Sequence, residues 1–377
     1  MIKDAVGSGS CDYRTMAVRE EWAGIGQRVR EARLAAKLSQ DELGRRIGLD
    51  RTMIAKIERG SRRIDAVELV RLGACLDLPL DHFLYERPAV LSRRTALLEE
   101  EATEAGRESF RLEAELVSWL RDVRQMQTLG VLEARPIRTY PGKIDSDTAA
   151  RQAAGWLRSL FANGDEPIES LMKACQDAGL FVAVVDLPGD GASVLDGDLA
   201  VAVVSRLGDP GRRRATAAHE LGHLVLGDEY SSDLGVHASR SGREAIIDAF
   251  AAEFLLPSAV ISAAGQGFDR DALIRLASAY RTSWSLAVRQ AVRAGVLGQE
   301  EAASWLPQTP TRAELLDATG WTPQPDLEWI RVPPSYAHAV LEARRRHLIT
   351  TARAVELMRG QIDEADFPPL SDEDIAP

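Results

Sequence analysis

The stretch "ATAAHELGHLVLGDEY", residues 215–230, sets His219 and His223 four positions apart, with Glu220 directly after the first. On a helix, residues at that spacing share one face a turn apart, so two imidazoles can aim ring nitrogens at a single ion. Glu220 sits next in the rotation, placed to reach a metal-bound water instead of the metal and to take its proton. Ala217, Ala218, Leu221, Leu224, Val225 and Leu226 frame the motif. That frame makes the helix a buried one, where His and Glu are costly without a role.

A third ligand is available downstream. "REAIIDAFAAEFLLP", residues 243–257, reads as a helix bearing Glu244, 21 positions beyond His223, which is room for a loop and an antiparallel return. Two imidazoles and one carboxylate leave the fourth position of a Zn2+ ion to water. Asp248, one turn after Glu244, can accept the second ring proton of a zinc histidine and so fix its tautomer. Glu253 competes as third ligand, but lies two and a half turns beyond Glu244, on the opposite side of the same helix. Tyr230 and His237, between the two helices, are candidate oxyanion donors, weighed against a plain surface role. The three cysteines, Cys11, Cys75 and Cys175, form no CxxC pair. Any metal is therefore held by His and carboxylates, and no disulfide framework is expected.

A chain of 377 residues is expected to hold two or three domains. No apolar run approaches a membrane span and the N-terminus lacks a secretory signal, so a cytoplasmic protein without membrane contact is expected. The net charge of −11 argues against a nucleic-acid partner, yet residues 28–63 hold eleven Lys and Arg against five Asp and Glu. This local excess can face phosphate although the whole chain cannot.

That basic segment contains "LSQDELGRRIGLDRTMIAKIERGSRRI", residues 38–64. Ser39 and Glu42 form a capping box, Gly48 ends a first short helix, and Asp50 caps a second that stops at Gly60. Leu43, Ile47, Leu49, Ile54 and Ile57 form the inward face. Gln40, Arg51, Thr52, Met53, Lys56 and Arg62 are left outward, with Arg63 beside them. This is how a helix-turn-helix offers its second helix to a double-stranded DNA operator. Thr52 and Met53 are the expected base readers, and Arg51, Lys56, Arg62 and Arg63 the phosphate contacts. A small bundle used only for protein contacts is the alternative.

Elsewhere, residues 1–20 are expected to lack fixed structure. Leu112, Leu116, Trp119, Leu120 and Val123 recur at helical spacing in a charged background, which predicts one long amphipathic helix over about 91–129. Asp145 or Ser146 caps a helix containing Trp156, and Ile168–Ala178 suggests another. "LFVAVVDLP" and "LAVAVVSRL" read as strands. Residues 245–298 look helical with breaks near Pro257 and Gly265, a further amphipathic helix spans about Tyr336–Arg346, and the acidic end is expected to be disordered.

"RRRATAAHELGHLVLGD" followed by "EAIIDAFAAEFLLPSAVI" closely resembles the ImmA/IrrE family of zinc metallopeptidases, over roughly residues 137–300. By that resemblance His219, His223 and Glu244 are the Zn2+ ligands and Glu220 the catalytic base. Two departures are visible: Ala215 stands where the family usually has Phe, and Asp248 where it usually has Asn. Residues 25–84 resemble the phage-repressor-type (XRE) helix-turn-helix. The fold class expected is multidomain and mainly α: an all-α helix-turn-helix bundle, a long helical linker, then an α+β zincin-like metallopeptidase domain with a small sheet. The boundaries expected are 1–20 disordered, 21–85 helix-turn-helix, 86–136 helical linker, 137–300 zinc peptidase, and 301–377 helical extension with an acidic tail. The resemblance implies an endopeptidase that cleaves a repressor protein, often itself XRE-type, to derepress stress or mobile-element genes. XRE-type domains commonly dimerise, so a homodimer is expected. A transcription factor whose peptidase-like domain only senses a ligand or metal is the main alternative, and an antitoxin or phage-defence regulator a third.

Overall fold

A computed structural model of the chain describes residues 9–85, 103–227, 237–265, 268–322, 327 and 331–367. The chain divides into two compact units, Met1–Pro88 with Arg94–Ser118, and Ala89–Arg93 with Trp119–Pro377. In the first unit, α1 (Gly9–Ala35) is followed by α2 (Gln40–Ile47), α3 (Arg51–Glu58), α4 (Ala66–Leu76) and α5 (Leu80–Leu84). The helix α6 (Glu104–Thr128) gives its first part to this unit and its remainder to the second.

The capping signals act where the sequence puts them. Ser39 Oγ accepts from the Glu42 amide at 3.1 Å while the Glu42 carboxylate accepts from the Ser39 amide at 2.8 Å. Gly48 (φ 80°) terminates α2 in the left-handed region, and Asp50 Oδ1 accepts from the Met53 amide at 2.8 Å to start α3. Val29, Leu43, Ile47, Ile54, Ile57, Leu72 and Phe83 close the core, with Phe110 of α6. A buried ion pair, Arg33 to Glu58 at 2.5 Å, ties α1 to the end of α3.

Three expectations change here. Residues 9–20 lie in α1, since after Gly9 the run contains no glycine or proline to interrupt a helix. The amphipathic helix is observed over Glu104–Thr128, and residues 86–102 lie outside the described residues. It is also no free-standing linker, because Phe110 belongs to the first core while Trp119, Leu120, Val123 and Met126 are buried in the second unit.

The second unit continues with α7 (Asp147–Leu160), capped by Ser146, and α8 (Leu171–Asp177), capped by Ser170. Three strands follow, β1 (Leu180–Val185), β2 (Gly191–Asp196) and β3 (Leu199–Ser205), in the order β1-β3-β2. β1 and β3 run parallel, Leu180 opposite Ala200, and their unbroken apolar sequences are buried throughout. β2 runs antiparallel to β3, Gly191 opposite Val204, through a two-residue hairpin whose first central residue is Gly197 (φ 63°). Sequence reading missed β2, because "GASVLD" is short and half small residues. On the outer edge of β1 the Arg331 carbonyl accepts from Val184 N at 2.9 Å, and Trp119 donates to Phe181 O at 2.8 Å. Among the described residues no strand pairs with the outer edge of β2.

Beneath the sheet lies α9 (Pro210–Val225), and α10 (His237–Leu255) packs against both α9 and α7. Then come α11 (Ser258–Ala263), α12 (Arg270–Ala279), α13 (Trp284–Arg293), α14 (Gln299–Trp305) and α15 (Arg312–Thr319), sharing one core around Leu273, Ile274, Trp284 and Val288. Since α15 packs on α12, residues 312–319 complete this bundle and do not extend away from it. Finally α16 (Pro334–Arg345) and α17 (Thr351–Leu357) clasp the second part of α6: Tyr336 meets Trp119 edge-on at 4.5 Å, and Asp122 holds Arg353 and Arg359 at 2.7 and 2.9 Å. The acidic tail, residues 368–377, lies outside the described residues.

Candidate functional site

Asp209 and Pro210 start α9: Asp209 Oδ1 accepts from the Gly211 and Arg212 amides at 3.0 and 3.2 Å, and proline occupies a first-turn position that needs no N–H. The helix then runs under the sheet with Ala217, Ala218, Leu221, Leu224 and Val225 in the core. His219 is 4% exposed, and Glu220 and His223 are fully buried. Gly222 lets α10 approach, since a Cβ there would stand 2.9 Å from Ile247 Cγ2 and 3.0 Å from Phe250 Cδ1.

That approach brings Glu244 and Asp248 to the histidines. His219 Nε2 lies 3.2 Å from His223 Nε2 and 3.1 Å from Glu244 Oε2. His219 Nδ1 lies 2.8 Å from Asp248 Oδ1, which suits a ring protonated at Nδ1 and donating to the carboxylate. His219 Nε2 then carries a lone pair into the same small space as His223 Nε2 and a Glu244 oxygen. One ligand atom from each of the three lies within 4.8 Å of the others. Two imidazole nitrogens and one carboxylate oxygen gathered in this space, with His219 braced from behind by Asp248, fit a divalent ion of the zinc type.

Glu220 turns toward the sheet. Ser193 Oγ of β2 donates to Glu220 Oε2 at 2.7 Å, and Oε1 is buried with no hydrogen-bond partner among the described residues. Ser193 was not picked out in the sequence. Its signal was weak: one hydroxyl in a short strand, two positions after a glycine. Glu253 stays out of the cluster; its Oε1 accepts from the Ser258 amide and hydroxyl and its Oε2 from Gln290 Nε2. Tyr230 lies outside the described residues, and His237 is the first residue of α10 and not a loop residue.

In the first unit, Arg51, Thr52, Met53 and Lys56 line the exposed side of α3, with Arg63 exposed beyond it. Two residues expected outward are committed elsewhere. Gln40 donates to Glu58 Oε2 at 2.7 Å, because the Glu58 carboxylate that pairs with Arg33 has a lone pair left to fill. Arg62 makes a two-pronged pair with Glu68 at 2.8 and 2.6 Å, which holds the Glu68 carboxyl below its ordinary range. The Asp50 carboxyl is lowered too, by the Thr52 hydroxyl at 2.5 Å and then by the Met53 amide.

The fold and geometry therefore describe a chain that joins a helix-turn-helix unit to a unit with a His-His-Glu cluster that could hold a metal ion. Among known proteins, residues 29–83 match the helix-turn-helix family and residues 190–291 the IrrE N-terminal-like domain. Over these two segments the chain is similar to an XRE-type helix-turn-helix and, further along, to an IrrE-like domain. An uncharacterized transcriptional regulator in the ATPase CF(0) region of Rhodospirillum rubrum is 42% identical over 69 residues, covering 18% of this chain and 64% of that protein. An uncharacterized HTH-type transcriptional regulator of Sinorhizobium medicae is 31% identical over 64 residues, covering 17% and 46%. The chain therefore spans less than two thirds of these relatives. No solved structure matches.

Proposed function

We propose that this chain is a cytoplasmic transcriptional regulator whose IrrE-like domain is a zinc-dependent endopeptidase that cleaves a repressor protein. The observation that carries this reading is the meeting of His219, His223 and Glu244 on α9 and α10, with Glu220 buried on the same helix. His219, His223 and Glu244 would hold the ion, which supplies an acidified water and polarises a carbonyl. Asp248 keeps His219 in the tautomer that presents Nε2. Glu220 would be the base that takes a proton from that water and passes it to the leaving amine.

The helix-turn-helix unit would deliver this activity to an operator, with Arg51, Lys56 and Arg63 on phosphate and Thr52 and Met53 at base edges. An XRE-type repressor bound nearby is the substrate class this arrangement favours, and derepression of stress or mobile-element genes the outcome. Glu220→Gln tests it: the variant is expected to retain DNA binding and zinc while losing regulatory output and the shortened repressor fragment in cells. Output and fragment that match wild type would contradict cleavage. Such a result would favour the second reading, a non-cleaving metal sensor, for which the full burial of Glu220 and His223 speaks.

A further inference from the structure

Strand β2 meets the active helix through one of its two faces. Successive strand residues point to opposite sides, so Gly191 and Ser193, two apart, share the face that looks at Glu220. Ser193 Oγ, wholly buried, donates to Glu220 Oε2 at 2.7 Å. A Cβ at Gly191 would stand 3.3 Å from Glu220 Oε1 and 2.7 Å from Thr216 Cγ2. The two carboxylate oxygens are thereby treated differently: one is tied to a hydroxyl, and the other is buried without a hydrogen-bond partner among the described residues. A fully buried carboxylate with an unsatisfied oxygen is expensive to keep in a fold. Such a cost is retained where the free oxygen has work to do.

We propose that Ser193 is a positioning residue for Glu220, and that Gly191 keeps space open beside the carboxylate's working oxygen. The inference rests on the zinc-peptidase reading. The hydroxyl fixes the rotation of the carboxylate, so that Oε2 is spent on the sheet and Oε1 is the oxygen presented to the attacking water. A strand outside the HExxH sequence therefore sets the geometry of its base. Ser193→Thr keeps the donor and preserves the arrangement; Ser193→Ala loses it; Gly191→Ala crowds it from the other side.

The test uses the full-length, zinc-loaded protein and acetohydroxamate, a bidentate zinc ligand whose bound form hydrogen-bonds to a carboxylate beside the ion. Binding is measured by calorimetry, with zinc content taken on the same samples. Ser193→Ala and Gly191→Ala are expected to keep one zinc per chain and to weaken acetohydroxamate on the order of tenfold, with Ser193→Thr close to wild type. If Ser193→Ala does not fold, Ser193→Cys, of similar size and a poor donor, replaces it. A purely space-filling or stabilising role for Ser193 lowers the melting temperature without moving acetohydroxamate affinity. That outcome, with zinc retained, overturns the positioning role and leaves the zinc reading intact. A wild type that takes up no zinc overturns both.

Discussion

Asp248 and His219 show how much one contact decides. The carboxylate is mostly exposed, with its side chain 67% accessible, yet its 2.8 Å contact to Nδ1 selects which nitrogen of a nearly buried ring faces Glu244 and His223. Asp248→Ala is expected to weaken zinc binding about 10–100-fold, measured by competition with a chromogenic chelator, and to change folding stability little. Undiminished affinity would mean that the tautomer is set elsewhere. This brace could be read in advance, because Asp248 falls one turn after Glu244 on a helix whose period the apolar residues already reveal. Ser193 could not, because its partner lies 27 positions away across a sheet contact that no local period encodes.

At the level of elements, the short helices of the first unit stand on caps and on a few buried side chains. Ile54 is fully buried at the centre of α3, and Ile54→Ala is expected to lower unfolding free energy by about 2–5 kcal/mol in denaturant titration. The Arg62 pair holds the Glu68 carboxyl below its ordinary value of 4.5, so Glu68 binds protons more weakly folded than unfolded. Its contribution is therefore complete above the unfolded value and fades as pH falls through the lower folded one. Glu68→Gln should flatten the acid limb of this unit's stability, read by circular dichroism; an unchanged limb would show that the pair contributes nothing. Ser39, Gly48 and Asp50 were readable because capping and left-handed turns depend on residues within four positions. The Arg62 pair was not readable for the opposite reason: it depends on where α4 places Glu68. β2 escaped notice although "DGDL" carries a hairpin signal, since a six-residue strand of small residues shows little alternation.

For the whole molecule, the helix-turn-helix face and the His-His-Glu cluster belong to different units, so each proposed role can be tested separately. In selection from a random duplex pool, Arg51→Ala and Lys56→Ala are each expected to weaken DNA binding across sequences and to reduce the salt slope by about 0.9 per lost phosphate contact. Unchanged slopes would assign that exposed face to a protein partner. The net charge of −11 hides this face, because the acidic residues lie mainly outside residues 28–63. The mainly helical organisation with one small sheet followed from periodicity, whereas the division of α6 between the two units did not. An amphipathic stripe tells that a helix is covered, but not by which unit.

If α9 and α10 build a zinc site, elemental analysis of purified protein reads it out without any assumption about substrate. Wild type is expected to hold about one zinc per chain, with His223→Ala and Glu244→Ala both losing it. Wild type without zinc after reconstitution, or zinc retained in both variants, would contradict the site.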